Sequence, residues 1–426
     1  MNILSKVSES RHILYILQRL DSYPSLKKRV FSLIYEIWQF YLKISGYAIS
    51  KVIDLDKTYW VNPNRIIYST RRAFNIFLHK GKVIGGNWDL AKNRKAFEDS
   101  DVYQAFCQRF LNQKSWQETE FYHRVVAEIS SGKIKWGCKC REEFDDRCKK
   151  LDELYQSVRD NGYETQGELG SRYRDLFKED EVTVSIARTG ELLFTNGRHR
   201  LSIAKLLGIE AIPVKVTVRH QKWVKFRKQI LAYAESQPVR KIYDPLPYPD
   251  LADIPSFYGE DRFNIIKQNL SARTGAVLDI GSHWGYFCHK LEDEGFDCYA
   301  VENNPIHIYF LNKLREAENK KFKVIYGSIF DYQERTDFDV VLALNIFHHF
   351  LKFKTSYLKL IELLKRLEMR ELFFQAEIAG SPQMKNAYKN YSPSDFTAFI
   401  LEHSCLREAQ YIGESQDRRP IYKLYR

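Results

Sequence analysis

Ala276-Val277-Leu278-Asp279-Ile280-Gly281-Ser282-His283-Trp284-Gly285-Tyr286-Phe287 decides the fold of this chain. An apolar, strand-like run stops at a carboxylate, a glycine follows two residues later, and a second glycine comes four residues after that. Glycine tolerates the backbone angles of a tight turn and lets another group approach the main chain closely. The stretch therefore reads as a buried strand turning sharply into a helix.

Working downstream, 287–294 has a helical composition and Phe296 to Val301 reads as a second strand, ending in Glu302-Asn303-Asn304-Pro305. An acid at the tip of the second strand, some twenty residues past the first glycine, is placed to accept from ribose hydroxyls. A further helix (306–317), a third strand (322–326) leading to Gly327-Ser328-Ile329-Phe330-Asp331, and an almost wholly apolar fourth strand (338–344) follow. Asp331 is positioned to accept from an exocyclic adenine amine. The fourth strand runs into Asn345-Ile346-Phe347-His348-His349-Phe350. Such alternation argues an α/β, Rossmann-like doubly wound sheet with its ligand crevice at the carboxyl ends of the strands.

Residues 257–426 thereby resemble the class I S-adenosylmethionine-dependent methyltransferases. The resemblance implies S-adenosylmethionine as cofactor, with Asp279, Gly281 and Gly285 at its methionine end, Glu302 on the ribose and Asp331 at the adenine edge. The turn lacks the third close glycine of G-x-G-x-x-G, which speaks against a pyrophosphate-bearing dinucleotide. A scaffold that binds no cofactor is the bland alternative. The Glu302-Asn303-Asn304-Pro305 end of the second strand resembles glycan and small-molecule O-methyltransferases of the FkbM type; Phe347-His348-His349-Phe350 departs from that type. The box that accompanies amino methylation of DNA bases is absent, since Ile346 and Phe347 follow Asn345. His348 or His349 would deprotonate an acceptor hydroxyl. Otherwise one packs under the cofactor and the other caps a helix.

Upstream, 181–187 alternates like a strand, 188–191 turns, and 192–194 returns as its hairpin partner. Asn196-Gly197-Arg198-His199-Arg200 then opens an amphipathic helix closed by Gly208, and 209–218 is another strand. Free N–H groups and two arginines at a helix start suit an anion, most simply phosphate; a surface turn with solvated arginines is the alternative. The block 181–220 resembles the ParB/sulfiredoxin fold, which implies phosphate or nucleotide binding (ATP or another nucleotide) by Asn196, Gly197, Arg198, His199 and Arg200. Arg198 stands where sulfiredoxin has its cysteine, so sulfinic-acid repair is not expected. No helix-turn-helix follows, so neither is a chromosome-partitioning role.

The expected architecture is thus an amphipathic helical segment (1–58), a helical region with an α+β ParB/sulfiredoxin-like core (59–235), a proline-rich linker (236–256) and a methyltransferase domain (257–426). The 426 residues, 44% hydrophobic and 14% aromatic, suffice for such cores. The net charge of +12 sits before the linker: 43 Lys and Arg against 30 Asp and Glu over 1–250, but 23 against 24 over 251–426. That bias suits an anionic partner, and no nucleic-acid-reading module is visible, so nucleic acid is the least suited. Residues 30–49, preceded by Lys27-Lys28-Arg29, are apolar and aromatic but interrupted by Glu36, Gln39 and Lys43. They fit a helix lying on a membrane surface, or one packed on the next domain, rather than a membrane span. Seven scattered cysteines argue a reducing, cytoplasmic setting. Cys138, Cys140 and Cys148 with His123 lack a zinc spacing, and no metal is expected.

The expected function is O-methylation of a small molecule or glycan, phosphorylated or nucleotide-linked. The alternatives are a ParB-like phosphotransferase with an accessory methyltransferase, or a nucleotide-reading scaffold without catalysis.

Overall fold

The computed structural model describes residues 57–70, 80–165, 181–378 and 381–426. The segment 27–49, expected to seek a membrane, lies outside them. Among the described residues no helix is long and apolar enough to cross a membrane. The chain divides into two compact units, 1–225 and 226–426.

The first unit is a mixed α/β structure. Its strands are β1 (Thr58–Val61), β2 (Tyr68–Thr70), β3 (Lys82–Ile84), β4 (Arg94–Ala96), β5 (Val182–Ile186), β6 (Leu192–Asn196) and β7 (Ile212–His220). They form one sheet in the order β1-β7-β5-β6-β2-β4, with β3 also paired to β7. The β5–β6 hairpin, the helix α4 (Arg198–Leu206) and β7 follow the sequence reading closely. Four strands between 58 and 96 correct the expectation that 59–180 is helical. Each has only three or four residues, too few for a period of two to emerge. Helices α1 (Asp101–Phe106), α2 (Glu120–Ser130) and α3 (Arg141–Asn161) do lie between 101 and 161, around a core that includes Phe106, Trp116, Phe121 and Phe144. All seven cysteines are free.

Helix α5 (Gln221–Ser236) carries the unit boundary. The proline-dense stretch after it belongs to the second unit, where Ile242, Tyr248, Leu251 and Ile254 are buried. Then come α6 (Asp261–Asn269), β8 (Gly275–Ile280), α7 (Tyr286–Asp293), β9 (Phe296–Glu302), α8 (Pro305–Ala317), β10 (Lys323–Tyr326), β11 (Asp337–Leu344), α9 (Phe347–Phe350), α10 (Lys354–Arg366), β12 (Glu368–Gln375), α11 (Pro393–His403), β13 (Glu408–Glu414) and β14 (Pro420–Tyr425). The sheet order is β10-β9-β8-β11-β12-β14-β13. The first five strands are parallel; β14 runs antiparallel to β12 and to β13.

Alternation along the parallel strands builds two cores. Ala276, Leu278 and Ile280 of β8 face one of them with Tyr299, Val301 and Val341. Val277 faces the other with Cys298, Ala300 and Leu342. A strand covered on both faces reads as a continuous apolar run, which is why β8, β9 and β11 were visible in sequence. The order reverses at β8: the chain moves out to β9 and β10, then returns to β11 on the other side. At such a reversal the two connections leave in opposite directions and open a crevice above the strands' carboxyl ends.

Candidate functional site

A cavity of about 780 Å³ opens at that reversal, within the usual size of small-molecule sites. Ile280 at the end of β8 and Gly281 after it, Val301 and Glu302 of β9, Gly327 to Ile329 after β10, and Leu344 at the end of β11 with Asn345 and Ile346 after it wall it. The formerly proline-linker residues Lys241, Ile242 and Tyr243 close one side, with Phe257 and Tyr258.

Gly281 has φ +72°, and a Cβ there would meet Ile346 Cδ1 at 2.8 Å. Its N–H donates to Val301 O at 2.9 Å, and Ser282 N–H to the same carbonyl at 3.0 Å, so the turn is stapled to β9. Gly285 (φ +78°) starts α7 and packs toward Leu311 and Phe322 rather than lining the cavity.

Glu302 is the electrostatic centre. Its Oε1 accepts from the N–H groups of Asn303 (3.0 Å) and Asn304 (2.8 Å), and its Oε2 from His283 N–H at 2.9 Å. Burial alone would raise its pKa, but His307, 3.6 Å away, and these backbone donors outweigh burial and hold it below the ordinary carboxylate value. Glu302 is therefore an anion in the cavity wall.

Asp279 sits behind the wall, buried, with the Cys288 thiol 3.7 Å from Oδ2. Burial, then Asp244 and Glu302, push its pKa up to about 7. Asp331 is exposed and outside the cavity; Ser328 and Ile329 stand at that edge instead. His348 and His349 both line the cavity. His348 is buried, and its pKa falls to about 3 through burial and then His349, Arg419 and Lys352. His349 is the exposed member, also lowered by burial and then Lys352 and Arg419. Of the seven residues read from sequence in this unit, the cavity thus gathers Gly281, Glu302, His348 and His349.

Sequence reasoning missed most of the rest. His283 sits in the turn at φ +51°, its ring stacked on Trp284 and 4.2 Å from the His307 ring. Burial, then His307 and Arg262, keep it neutral, and its Nδ1 is buried without a partner. Asn345 (φ +55°) ends β11, donates from Nδ2 to the hydroxyls of Tyr243 (2.9 Å) and Tyr258 (3.0 Å), and keeps Oδ1 unpaired. Its place just past a strand at a sheet reversal was the one usable signal. Tyr243 hid in proline-rich sequence, and Asp417 and Arg419 in a C-terminal hairpin without a motif.

The upstream block has a different fate. Gly197 (φ +90°) opens α4, and Asn196 Oδ1 accepts its N–H at 2.9 Å. Arg200 is buried and donates to Glu181 Oε2 at 3.0 Å. His199 is buried, stacked on Phe106 and tilted against Trp136, and burial drives its pKa to about 3, with Arg147 and Arg198 adding. Those two side chains, expected to grip an anion, point inward. Only Asn196, Gly197 and Arg198 stay at the surface, Arg198 lying over the Phe194 ring. Among the described residues no His, Cys, Asp and Glu cluster forms a metal site.

No family model matches the chain, and no curated protein matches it. Among solved structures it is similar to the bifunctional kinase-methyltransferase WbdD, at 19% identity over 46% of this chain and 46% of that one, with a TM-score of 0.39. It is also similar to the N-methyltransferase NodS from Bradyrhizobium japonicum WM9, at 16% identity over 39% of this chain and 94% of that one, with a TM-score of 0.32. The chain spans about half the length of WbdD.

Proposed function

We propose that the unit 226–426 is an S-adenosylmethionine-dependent methyltransferase that modifies a hydroxyl of a small molecule or glycan. What carries this reading is the cavity at the sheet reversal, with the Gly281 turn on one wall and the ionised Glu302 on another.

The cavity's charge suits a cationic, nucleoside-bearing ligand. His283, His348 and His349 are all shifted toward the neutral form, so they do not repel a sulfonium. Glu302 adds a full negative charge beside aromatic faces. Lys241 and Arg419 are the only Lys or Arg among the lining residues, and Arg419 is paired with two carboxylates. A pyrophosphate would meet little compensation there. Glu302 would take the ribose hydroxyls, and the unpaired Asn345 Oδ1 and His283 Nδ1 are buried groups that a polar ligand would satisfy.

The cofactor, when bound, supplies an electrophilic methyl group. The chain's own work is alignment and proton removal. His349, facing the cavity as the free base, accepts the proton from the acceptor oxygen, while His348 behind it packs and fixes its orientation. No ligand is assigned to the 196–200 turn, because His199 and Arg200 are committed to the interior of their own unit.

Calorimetric titration of the full chain tests the proposal. S-adenosylmethionine and S-adenosylhomocysteine should bind in the range of roughly 1 µM to 1 mM usual for enzyme ligands, and NAD at least tenfold more weakly. Failure of both adenosyl ligands to bind would end it.

A further inference from the structure

The hairpin loop joining β13 to β14 is unlike an ordinary exposed loop. Gln375 Nε2 donates to Ser415 Oγ at 2.6 Å, Ser415 N–H donates to Arg419 O at 3.0 Å, and Tyr258 OH donates to Asp417 Oδ2 at 2.7 Å. Gln416 N–H donates to Asp261 Oδ2 at 3.1 Å. The loop is thus tied to β12, to α6 and to the segment before α6, and it presents Asp417 and Arg419 to the cavity.

The Arg419 guanidinium is held by two acids. One Nη is 2.8 Å from Glu377 Oε2, and Nε is 3.2 Å from Asp417 Oδ2. Both contacts are ion pairs by distance, and Glu377 Oε2 is buried without a hydrogen-bond partner among the described residues. Glu377 is buried, and the side chains of Arg419 and Asp417 are only 18% and 17% exposed. One cation between two carboxylates leaves a local net charge of −1 around a donor of fixed direction. Arg419 also contributes to lowering the pKa of both His348 and His349, which places it on the side of the cavity where the candidate base stands.

We propose that Arg419, clamped by Glu377 and Asp417, reads the acceptor in this cavity, and that the clamp selects an uncharged, hydroxyl-bearing acceptor and rejects a phosphorylated one. The inference rests on the methyltransferase reading for the word acceptor, but its electrostatics do not. An unclamped guanidinium takes phosphate bidentately through two N–H groups. Here two of its nitrogens already stand at ion-pair distance from carboxylates, and a phosphate dianion would enter beside a site of the same sign. A neutral oxygen needs only the remaining donor and meets no such repulsion. The substrate class expected from sequence, phosphorylated or glycan, narrows to the second.

The test uses the full chain, with and without S-adenosylhomocysteine, so that a failure of cofactor binding is read separately. Inorganic phosphate is titrated by calorimetry against wild type and a Glu377→Gln/Asp417→Asn variant. The expected result is no saturable binding to wild type at phosphate concentrations up to tenfold above the variant's dissociation constant, so that the variant binds at least tenfold more tightly. Tight phosphate binding by wild type that Arg419→Gln abolishes, or equal phosphate affinity in both proteins, overturns the proposal. In parallel, a mixture of methyl glycosides is screened by saturation-transfer NMR. Signals on wild type that fall at least fivefold in Arg419→Gln and recover in part in Arg419→Lys support it, and no signal from any neutral glycoside sinks it. Circular dichroism on each variant confirms that the loop change has not unfolded the unit.

Discussion

Two turns in this molecule share one local grammar and end differently. In each, a strand stops, a glycine with positive φ follows, and a helix begins within a few residues: Asn196-Gly197-Arg198 before α4, and Gly281 to Gly285 before α7. In the first, the polar side chains that follow fold back, Arg200 onto Glu181 and His199 onto Phe106. In the second, the turn lies at a reversal of strand order, and the groups around it face a cavity of about 780 Å³. A glycine turn reports that backbone comes close to something. Whether that something is a ligand or the protein's own core is settled by sheet topology, which is not local.

The largest effect that would sharpen this contrast is on stability in the first unit. Arg200→Ala breaks the buried Arg200–Glu181 ion pair, which costs about 3–5 kcal/mol and should be seen in chemical denaturation. Affinity for S-adenosylhomocysteine should stay within twofold, because no described residue of the first unit lines the cavity. A variant of unchanged stability would mean that Arg200 is not the buried partner described here and would reopen the anion reading.

The mirror experiment is Gly281→Val. Positive φ and a Cβ at 2.8 Å from Ile346 Cδ1 should together cost about 2–3 kcal/mol, and here the loss should appear in ligand affinity as well as in melting. Gly285→Ala is the control. Its φ is equally positive, but the nearest atoms are at 3.4 Å and belong to the core, so it should lower stability by about 1 kcal/mol and leave affinity intact.

Glu302→Gln separates charge from shape. The amide keeps the size, yet its nitrogen cannot accept from the N–H groups of Asn303, Asn304 and His283 as the carboxylate does. A loss of about 2 kcal/mol in ligand binding, the scale of a hydrogen bond to a charged group, is expected from calorimetry. Unchanged affinity would remove Glu302 from the site.

How much of this was legible beforehand follows from the same contrast. The parallel strands β8, β9 and β11 were readable because burial on both faces gives unbroken apolar runs. Gly281 and Glu302 were readable because they end such strands. Asp331 lies two residues past the stretch that walls the cavity: Ser328 and Ile329 line it, while Asp331 is exposed. Nothing in a strand-end pattern says which residue of the following loop turns back. Tyr243, Tyr258, Asp417 and Arg419 reach the cavity from segments remote in sequence. The proline-rich stretch looked like a tether because prolines exclude helix and sheet, but irregular backbone can still be buried when its side chains are apolar and aromatic. The short strands between 58 and 96 failed for want of length.

Asp279 offers the subtlest test, because it belongs to the readable part of the motif yet does not touch the cavity. Burial, then the nearby Asp244 and Glu302, raise its pKa to about 7 in the folded protein, above the value of about 3.9 for an unperturbed carboxyl. The folded state therefore holds this proton over a pH range in which the unfolded chain has released it. Stability from this group is fully present below about pH 4, declines as pH rises, and is gone above about pH 7. Asp279→Asn cannot ionise, so its stability should not decline over that window. At pH 8 the variant should be more stable than wild type, and at pH 4 the advantage should vanish or reverse. Denaturation midpoints from pH 4 to 8 would show it as converging, then crossing curves. If wild type instead gains stability from this residue as pH rises, Asp279 is held as a carboxylate by a partner, and its role moves from the wall's interior to the ligand.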